Sequence, residues 1–198
     1  MKIYDISQEV FSCVVFPGDP APTHEKISSM EEGALYNLTT LSLCAHNGTH
    51  IDAPYHFIKD GKTVEQLSLF KTVGWAYVAQ EDGFLSAEDA HRIITDAVTA
   101  HPEAVKRILL GGKVTVTEEA AHVFAKAGID LLGNESQTVG PEDAPMQVHL
   151  ILLSSEVVLL EGIRLGDVPT GVYLLSAAPL SLAGSDGAPC RAILISLE

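Results

Sequence analysis

The sequence predicts one layered domain of the α/β or α+β class. Three observations lead to this prediction: the predicted strands outnumber the predicted helices, the two kinds of element are interspersed along the chain, and no repeat, low-complexity tract or linker divides it. The chain has 198 residues, of which 46% are hydrophobic, and this length suits one domain with a sizeable core. We therefore expect residues 1–198 to form a single domain.

Alternation of apolar and polar side chains, bounded by turn residues, predicts the strands. The first covers residues 3–15 and ends at a Pro-Gly-Asp-Pro turn. The others are residues 35–44, 73–79, 105–110, 129–132, 157–160, 172–175 and 192–197.

Capping residues predict three helices among these strands. Ser86, with an aspartate three residues on, begins a helix that runs to about residue 100. Thr117 caps a second helix, which Gly128 closes. Pro145 starts a third helix that runs to about residue 155.

The charge balance excludes some classes of partner. The chain has 12 Lys and Arg against 26 Asp and Glu, a net charge of −14. Phosphate backbones and anionic lipids repel such a chain, so we expect neither a nucleic acid nor a membrane as partner. No apolar stretch approaches the roughly 18–20 residues of a membrane span. An acid at Asp5, where a signal peptide needs an apolar core, and an odd number of cysteines predict a cytoplasmic protein with reduced thiols.

One stretch of the chain carries candidate chemistry. Residues 44–57 read CAHNGTHIDAPYHF and hold three of the eight histidines, with an aspartate, within eleven residues. A glycine and a proline in this stretch disfavour a helix. In an extended chain His46, His50, Asp52 and His56 share one side, because all four lie at even-numbered positions. Their odd-numbered neighbours would then pack into the protein.

The residue types suit a divalent cation. His46, His50 and Asp52 supply two nitrogens and one oxygen and leave coordination positions open, as catalytic metal sites do. His56 follows a proline and is placed to act as a base beside the metal. The alternative is a set of ordinary loop histidines, but their alternation with an aspartate favours a functional site. Cys44 is either a small buried residue or a further ligand or nucleophile.

The string HNGTHIDAPYH, residues 46–56, resembles the H-x-G-T-H-x-D-x-P-x-H signature of the cyclase family of metal-dependent hydrolases. That family includes bacterial kynurenine formamidase and isatin hydrolase. The resemblance implies the family's swivelling β/β/α fold in a single domain, assembled into homodimers or homotetramers. The likeness extends to residues 4–7, 16–20, 157–163, 179–182 and 189–192.

The resemblance also implies the residues of the site. It assigns metal binding to the positions of His46, His50 and Asp52. Members with two metals share the carboxylate that matches Asp52 and complete the second site with a later histidine and glutamate, which match His149 and Glu161. The implied cofactor is therefore a divalent metal, zinc or alternatively manganese, with one or two ions per chain.

Together these features predict a metal-dependent hydrolase of a small amide or formamide, in which His56 is the general base for a metal-activated water. The resemblance implies N-formylkynurenine as the small-molecule substrate, with kynurenine and formate as products. The alternatives are a hydrolase of a cyclic amide or lactone, and a non-catalytic metal-binding or ligand-binding protein with the same fold.

Asp19 either initiates a turn or lines the pocket. Residues 107–117 and 133–139 depart from the family pattern, and we expect both segments to reshape the pocket.

Overall fold

The computed structural model describes residues 1–197, which form strands, three α-helices and several short 3-10 turns. The helices are α1 (Ala87–Ala100), α2 (Glu118–Ala127) and α3 (Met146–Ser154). The strands are β1 (Lys2–Asp5), β2 (Thr23–Ser28), β3 (Leu38–Ser42), β4 (His50–Asp52), β5 (Val73–Gln80), β6 (Gly83–Leu85), β7 (Arg107–Gly111), β8 (Val114–Val116), β9 (Leu131–Asn134), β10 (Val158–Glu161), β11 (Gly171–Ser176), β12 (Gly187–Pro189) and β13 (Ile193–Ser196).

The main sheet is mixed and has nine strands in the order β1-β13-β11-β5-β7-β9-β10-β4-β12. Its central strands β5, β7, β9 and β10 run parallel, and each connection between them contains one of the three helices. The outer strands pair antiparallel. Two further two-stranded sheets consist of β2 with β3 and of β6 with β8. This arrangement confirms the predicted α/β class.

The capping residues determine where the helices begin and end. Ser86 and Asp89 exchange side-chain-to-backbone hydrogen bonds of 3.1 Å at the start of α1. The Thr117 hydroxyl accepts a bond from the third residue of α2, and Gly128 ends that helix in the left-handed conformation, at φ +66°. Pro145 precedes α3. All three predicted helices are confirmed, and none of them has the length and apolar character that a membrane crossing demands.

Apolar side chains pack on both faces of the sheet. In β7, Ile108 and Leu110 face the layer of helices, while Leu109 faces the opposite core. The helical layer contributes Phe124 and Leu152, both fully buried. Because both faces are covered, the central strands are almost wholly apolar and their order is tightly constrained.

Strand β4 has only three residues, yet its pairing organises one end of the sheet. It lies antiparallel between β10 and β12. The register places His50 opposite Glu161 on one side, and Asp52 opposite Gly187 on the other. Residues that are more than a hundred positions apart in sequence therefore become cross-strand neighbours.

The predicted strand over residues 3–15 is too long. Strand β1 ends at Asp5, and Val10–Ser12 forms a 3-10 turn. The Glu9 carboxylate explains why the strand does not continue. It accepts hydrogen bonds from the backbone N–H groups of Phe11 and Ser12, and these groups are then not available to pair with a neighbouring strand. The short strands β2, β4, β6, β8 and β12 were not predicted as separate elements.

Gly162 follows β10 at a point where several segments meet, and we expect Gly162→Ala to destabilise the fold. Its φ is +69°, and a Cβ there would collide with the Gln137 side chain and the Gly48 carbonyl oxygen. Left-handed strain and overpacking together predict a loss of about 2–4 kcal/mol in the free energy of unfolding, measured by urea titration. Gly166→Ala is the control, because a Cβ there meets nothing within 4 Å. Equal stability of the two variants would contradict this account.

Candidate metal centre

A first group of ligand-type side chains lies at the start of β4. His46 Nδ1 is 2.8 Å from Asp52 Oδ1, and His50 Nε2 is 3.3 Å from the same oxygen, although without the geometry of a hydrogen bond. His50 and Asp52 share one face of the strand, while Ile51 between them is fully buried in the core. His46 arrives from the preceding turn.

The predicted alternation is correct only within β4. Residues 45–49 form a turn in which Gly48 has φ +68°, and Pro54–His56 is a 3-10 turn. Tyr55 is consequently 44% exposed instead of packed inside. The Gly48 carbonyl oxygen accepts the Nδ1 proton of His50 at 3.0 Å, which leaves Nε2 of that ring facing Asp52.

A second group consists of Asp52, His149 and Glu161. The imidazole of His149 donates from Nδ1 to the carbonyl oxygen of Pro145 at 2.8 Å, one turn back along α3. Its Nε2 therefore faces Glu161 Oε1 at 3.3 Å and Asp52 Oδ2 at 3.7 Å. The Glu161 carboxylate is itself fixed by the backbone N–H of Val139, at 2.7 Å.

The two groups share Asp52, whose Oδ1 faces the first and whose Oδ2 faces the second. Within each group the ligand atoms lie within 4.8 Å of one another. Donors about 2.0–2.2 Å from one ion stand about 3–3.5 Å apart, so these spacings suit a bound cation. Within residues 1–197, the buried atoms His50 Nε2 and Asp52 Oδ2 have no hydrogen-bond partner. Buried polar atoms rarely stay unpaired, and this donor set fits a divalent cation.

Without a metal, protons occupy the centre. Burial lowers the pKa of His46, but the carboxylates of Asp52 and Asp186 outweigh it and raise that pKa to about 10. Burial also opposes protonation of His149, yet Glu161 and Asp52 raise its pKa to about 9. Burial alone would raise the pKa of Asp52, but the two imidazoles beside it hold that pKa well below its usual range. The centre is thus a compact set of protonated imidazoles and ionised carboxylates, and a cation that binds there would displace the imidazole protons.

His56 lies beside the first group. Its ring centroid is 4.1 Å from that of His46, and its Nδ1 is 3.1 Å from Asp186 Oδ2. Asp186, which no sequence pattern singled out, is also 2.9 Å from His46 Nε2. An aspartate before a glycine is an ordinary turn signal, and no local pattern links it to residues 130 to 140 positions away.

His46, His50, His149 and Glu161 of the two groups line one cavity of about 230 Å³ together with His56. Asp19 lines it, as one of the two predictions for that residue required. Residues 133–139 contribute two side chains to the wall, but none of residues 107–117 does, because β7 and β8 lie elsewhere in the fold. Cys44 belongs to neither metal-ligand group. The remaining wall consists of Phe16, Asp19, Phe57, Gln137, Thr138 and Pro145.

Comparison with known proteins supplies the family. A family model named Cyclase, described as "Putative cyclase", matches residues 4–141. The chain belongs to the cyclase family. This cyclase-family chain is 30% identical over 210 residues to a kynurenine formamidase from Erythrobacter litoralis, covering 99% of this chain and 94% of the relative. It is 32% identical over 214 residues to a kynurenine formamidase from Salinibacter ruber, covering 98% and 97%.

A solved structure supports the same assignment. It is described as a potential metal-dependent hydrolase with cyclase activity, and its sequence is 27% identical to this cyclase-family chain. The two structures match with a TM-score of 0.81 over 98% of this chain and 96% of the other. The predicted cyclase-like fold is thereby confirmed.

We expect the affinity of this cyclase-family centre for zinc to increase as the pH rises from about 6 to about 9. Protonated imidazoles cannot bind a metal, and the raised pKa values of His46 and His149 keep both rings protonated at neutral pH. The pKa of His50 is raised as well, so calorimetric titration in buffers of different ionisation enthalpy should detect at least two protons released at pH 7, and fewer at about pH 10. An affinity that does not change with pH, without proton release, would contradict these pKa values.

Proposed function

We propose that this chain is a metal-dependent hydrolase that cleaves the C–N bond of N-formylkynurenine, giving kynurenine and formate. One observation carries the proposal: side chains from two ligand groups that share the buried Asp52 line a single cavity together with His56. The relatives named kynurenine formamidase support the substrate, because they match almost the whole chain. Hydrolysis of a non-peptide C–N bond is the reaction class that follows.

The residues of the two groups divide the task of metal binding. His46, His50 and Asp52 hold one ion, and Asp52, His149 and Glu161 hold the other. A divalent cation, when bound, supplies Lewis acidity and lowers the pKa of a nearby water. The buried carboxylates of Asp52 and Glu161 supply the negative charge that this cation neutralises.

His56 moves the proton. Its Nδ1 is engaged by Asp186, so Nε2 is the nitrogen available for proton exchange with water and with the leaving nitrogen. The side chain is 27% exposed and lies on the cavity wall, where substrate can reach it. A histidine is suited to accept and return one proton near neutral pH.

The cavity wall positions the substrate. Phe16, Phe57 and Pro145 are apolar and provide surfaces for an aromatic ring. The Asp19 carboxylate on the same wall accepts a hydrogen bond from a substrate amine. This combination matches a formamide with an aryl ring and a charged amino-acid tail.

The donor set supports zinc as the native ion. Three imidazoles and two carboxylates form the two groups. Imidazole nitrogen with carboxylate oxygen suits zinc, whereas manganese favours sites richer in oxygen. Manganese is the alternative that metal analysis distinguishes.

A homodimer or homotetramer is supported by the β2–β3 hairpin. Its strands and turn expose large apolar side chains, including Ile27 at 56%, Leu35 at 93% and Leu41 at 56%. Several large apolar side chains exposed on one hairpin are typical of a protein–protein interface. Light scattering coupled to gel filtration measures the number of chains.

A cytoplasmic location is supported by the cysteines. Cys13, Cys44 and Cys190 are all free thiols in the structure. Unpaired cysteines persist where the compartment keeps thiols reduced.

Metal analysis and turnover test the proposal together. Protein purified without chelator should contain about two zinc ions per chain by elemental mass spectrometry and should convert N-formylkynurenine to kynurenine faster than it opens the cyclic amide isatin. Chelation should abolish the activity, and zinc should restore it. Absence of metal after reconstitution would refute the proposal, and turnover of isatin alone would identify a cyclic amide as substrate. One ion per chain would remove His149 and Glu161 from the metal site.

A further inference from the structure

Asp186 contacts two histidines of the site through a single oxygen atom. Its Oδ2 is 2.9 Å from His46 Nε2 and 3.1 Å from His56 Nδ1. The two imidazole rings are stacked, with centroids 4.1 Å apart and planes inclined by 32°. The carboxylate therefore bridges one metal-ligand group to the proposed base.

The backbone holds this carboxylate in place. The carbonyl oxygen of Asp186 accepts the N–H of Ala53 at 2.8 Å, next to the pairing of β12 with β4. A Cβ at Gly187 would lie 2.9 Å from His46 Cε1, so only glycine lets the chain pass so close to that ring. Asp186 and Asp52 consequently bind opposite nitrogens of His46.

We infer that Asp186 is a positioning residue that sets the tautomers of both histidines, an inference that rests on the proposed function. A carboxylate only accepts hydrogen bonds, so a neutral ring keeps its single proton on a nitrogen that faces a carboxylate. Both nitrogens of His46 face one, and a metal bound on the Asp52 side would leave the proton on the nitrogen that faces Asp186. For His46 this is Nε2, which leaves the Nδ1 lone pair for the metal beside Asp52. For His56 it is Nδ1, which leaves the Nε2 lone pair for proton transfer.

Two different tasks thus depend on one side chain. A carboxylate that orients a metal-binding histidine typically changes metal affinity or activity by about 10–100-fold. A carboxylate that orients a catalytic base acts on kcat through the correct tautomer. Asp186 should influence both quantities, and its removal should leave KM almost unchanged because it does not line the cavity.

The test compares Asp186→Ala, Asp186→Asn and the control Asp167→Asn, which alters an exposed aspartate that belongs to no ligand group and does not line the cavity. Three quantities are measured: zinc affinity by competition with a chromogenic chelator, the tautomer of His56 by ¹⁵N NMR of the zinc-loaded protein, and kcat and KM separately. Asp186→Ala should lower zinc affinity and kcat by about 10–100-fold each and shift His56 away from the Nδ1–H tautomer. Asp186→Asn should retain part of the zinc affinity and part of kcat, because its amide oxygen also accepts hydrogen bonds. This variant also guards against the case in which the alanine variant misfolds.

The outcomes separate this inference from the proposed function. Wild-type zinc affinity and an unchanged His56 tautomer in Asp186→Ala would overturn the inference, whatever the substrate is. Loss of a third, stoichiometric ion on substitution would also overturn it, since His46, His56 and Asp186 would then be metal ligands themselves. Failure of the wild-type protein to hydrolyse formamides would refute the proposed function but would leave the affinity and tautomer measurements valid.

Discussion

Asp52→Asn is expected to remove both metal ions and to lower kcat/KM by about 10⁴-fold, the largest effect of any single substitution in this chain. Asp52 belongs to both ligand groups, and each of its oxygens faces a different group. A carboxamide offers one weaker oxygen donor and no charge, so neither group keeps its affinity. A bound cation contributes several kcal/mol of transition-state stabilisation, and each 1.4 kcal/mol corresponds to about tenfold in rate.

Elemental analysis and steady-state kinetics check this expectation. Glu161→Gln is the informative companion, because Glu161 belongs to the second group alone and its loss should cost one ion while the other stays. Asp167→Asn serves as the control for removal of a carboxylate, since that residue is exposed. Two ions retained in Asp52→Asn would show that the shared carboxylate is not a ligand.

His56→Ala is expected to lower kcat by about 10³-fold while the metal content stays that of the wild type, because a general base typically contributes 10²–10⁴-fold. His56 belongs to neither of the two groups that share Asp52. The variant therefore separates proton transfer from metal binding. Kinetics with N-formylkynurenine and metal analysis of the same sample measure both quantities.

His122→Ala provides the matched control, since this histidine is exposed on α2, far along the chain from the site. If His56→Ala loses metal as well as activity, His56 is a ligand and not a base. If it keeps full activity, another group moves the proton.

Local signals predicted the helices and the first ligand group. The capping box at Ser86, the Thr117 cap and Gly128 act over a few residues, so they can be recognised without knowledge of the fold. His46, His50 and Asp52 also lie within one short stretch, and the structure brings them together, although His46 reaches the group from a turn and not from the predicted extended chain. Their role as metal ligands remains a prediction that the metal analysis tests.

Other features depend on contacts between distant segments. The sequence predicted an extended chain over residues 46–56, but only the three residues of β4 form a strand, because β10 and β12 pair with them on both sides. That pairing determines the positions of Glu161 and Asp186, and no sequence signal near either residue predicts the pairing. His149 and Glu161 were predicted as metal ligands from the resemblance to the cyclase family, because no local sequence pattern identifies them.

The shared position of Asp52 has a consequence for the lifetime of the protein. An ion held by Asp52, His149 and Glu161 would tie β4 to α3 and to the end of β10, segments that almost a hundred residues of chain separate. That ion would be a reversible cross-link, comparable to a disulfide that closes a long loop, because it would bind the folded chain far better than the unfolded one. Its stabilising effect grows with the logarithm of the free metal concentration. The supply of the ion would thus affect how long the chain stays folded as well as how active it is.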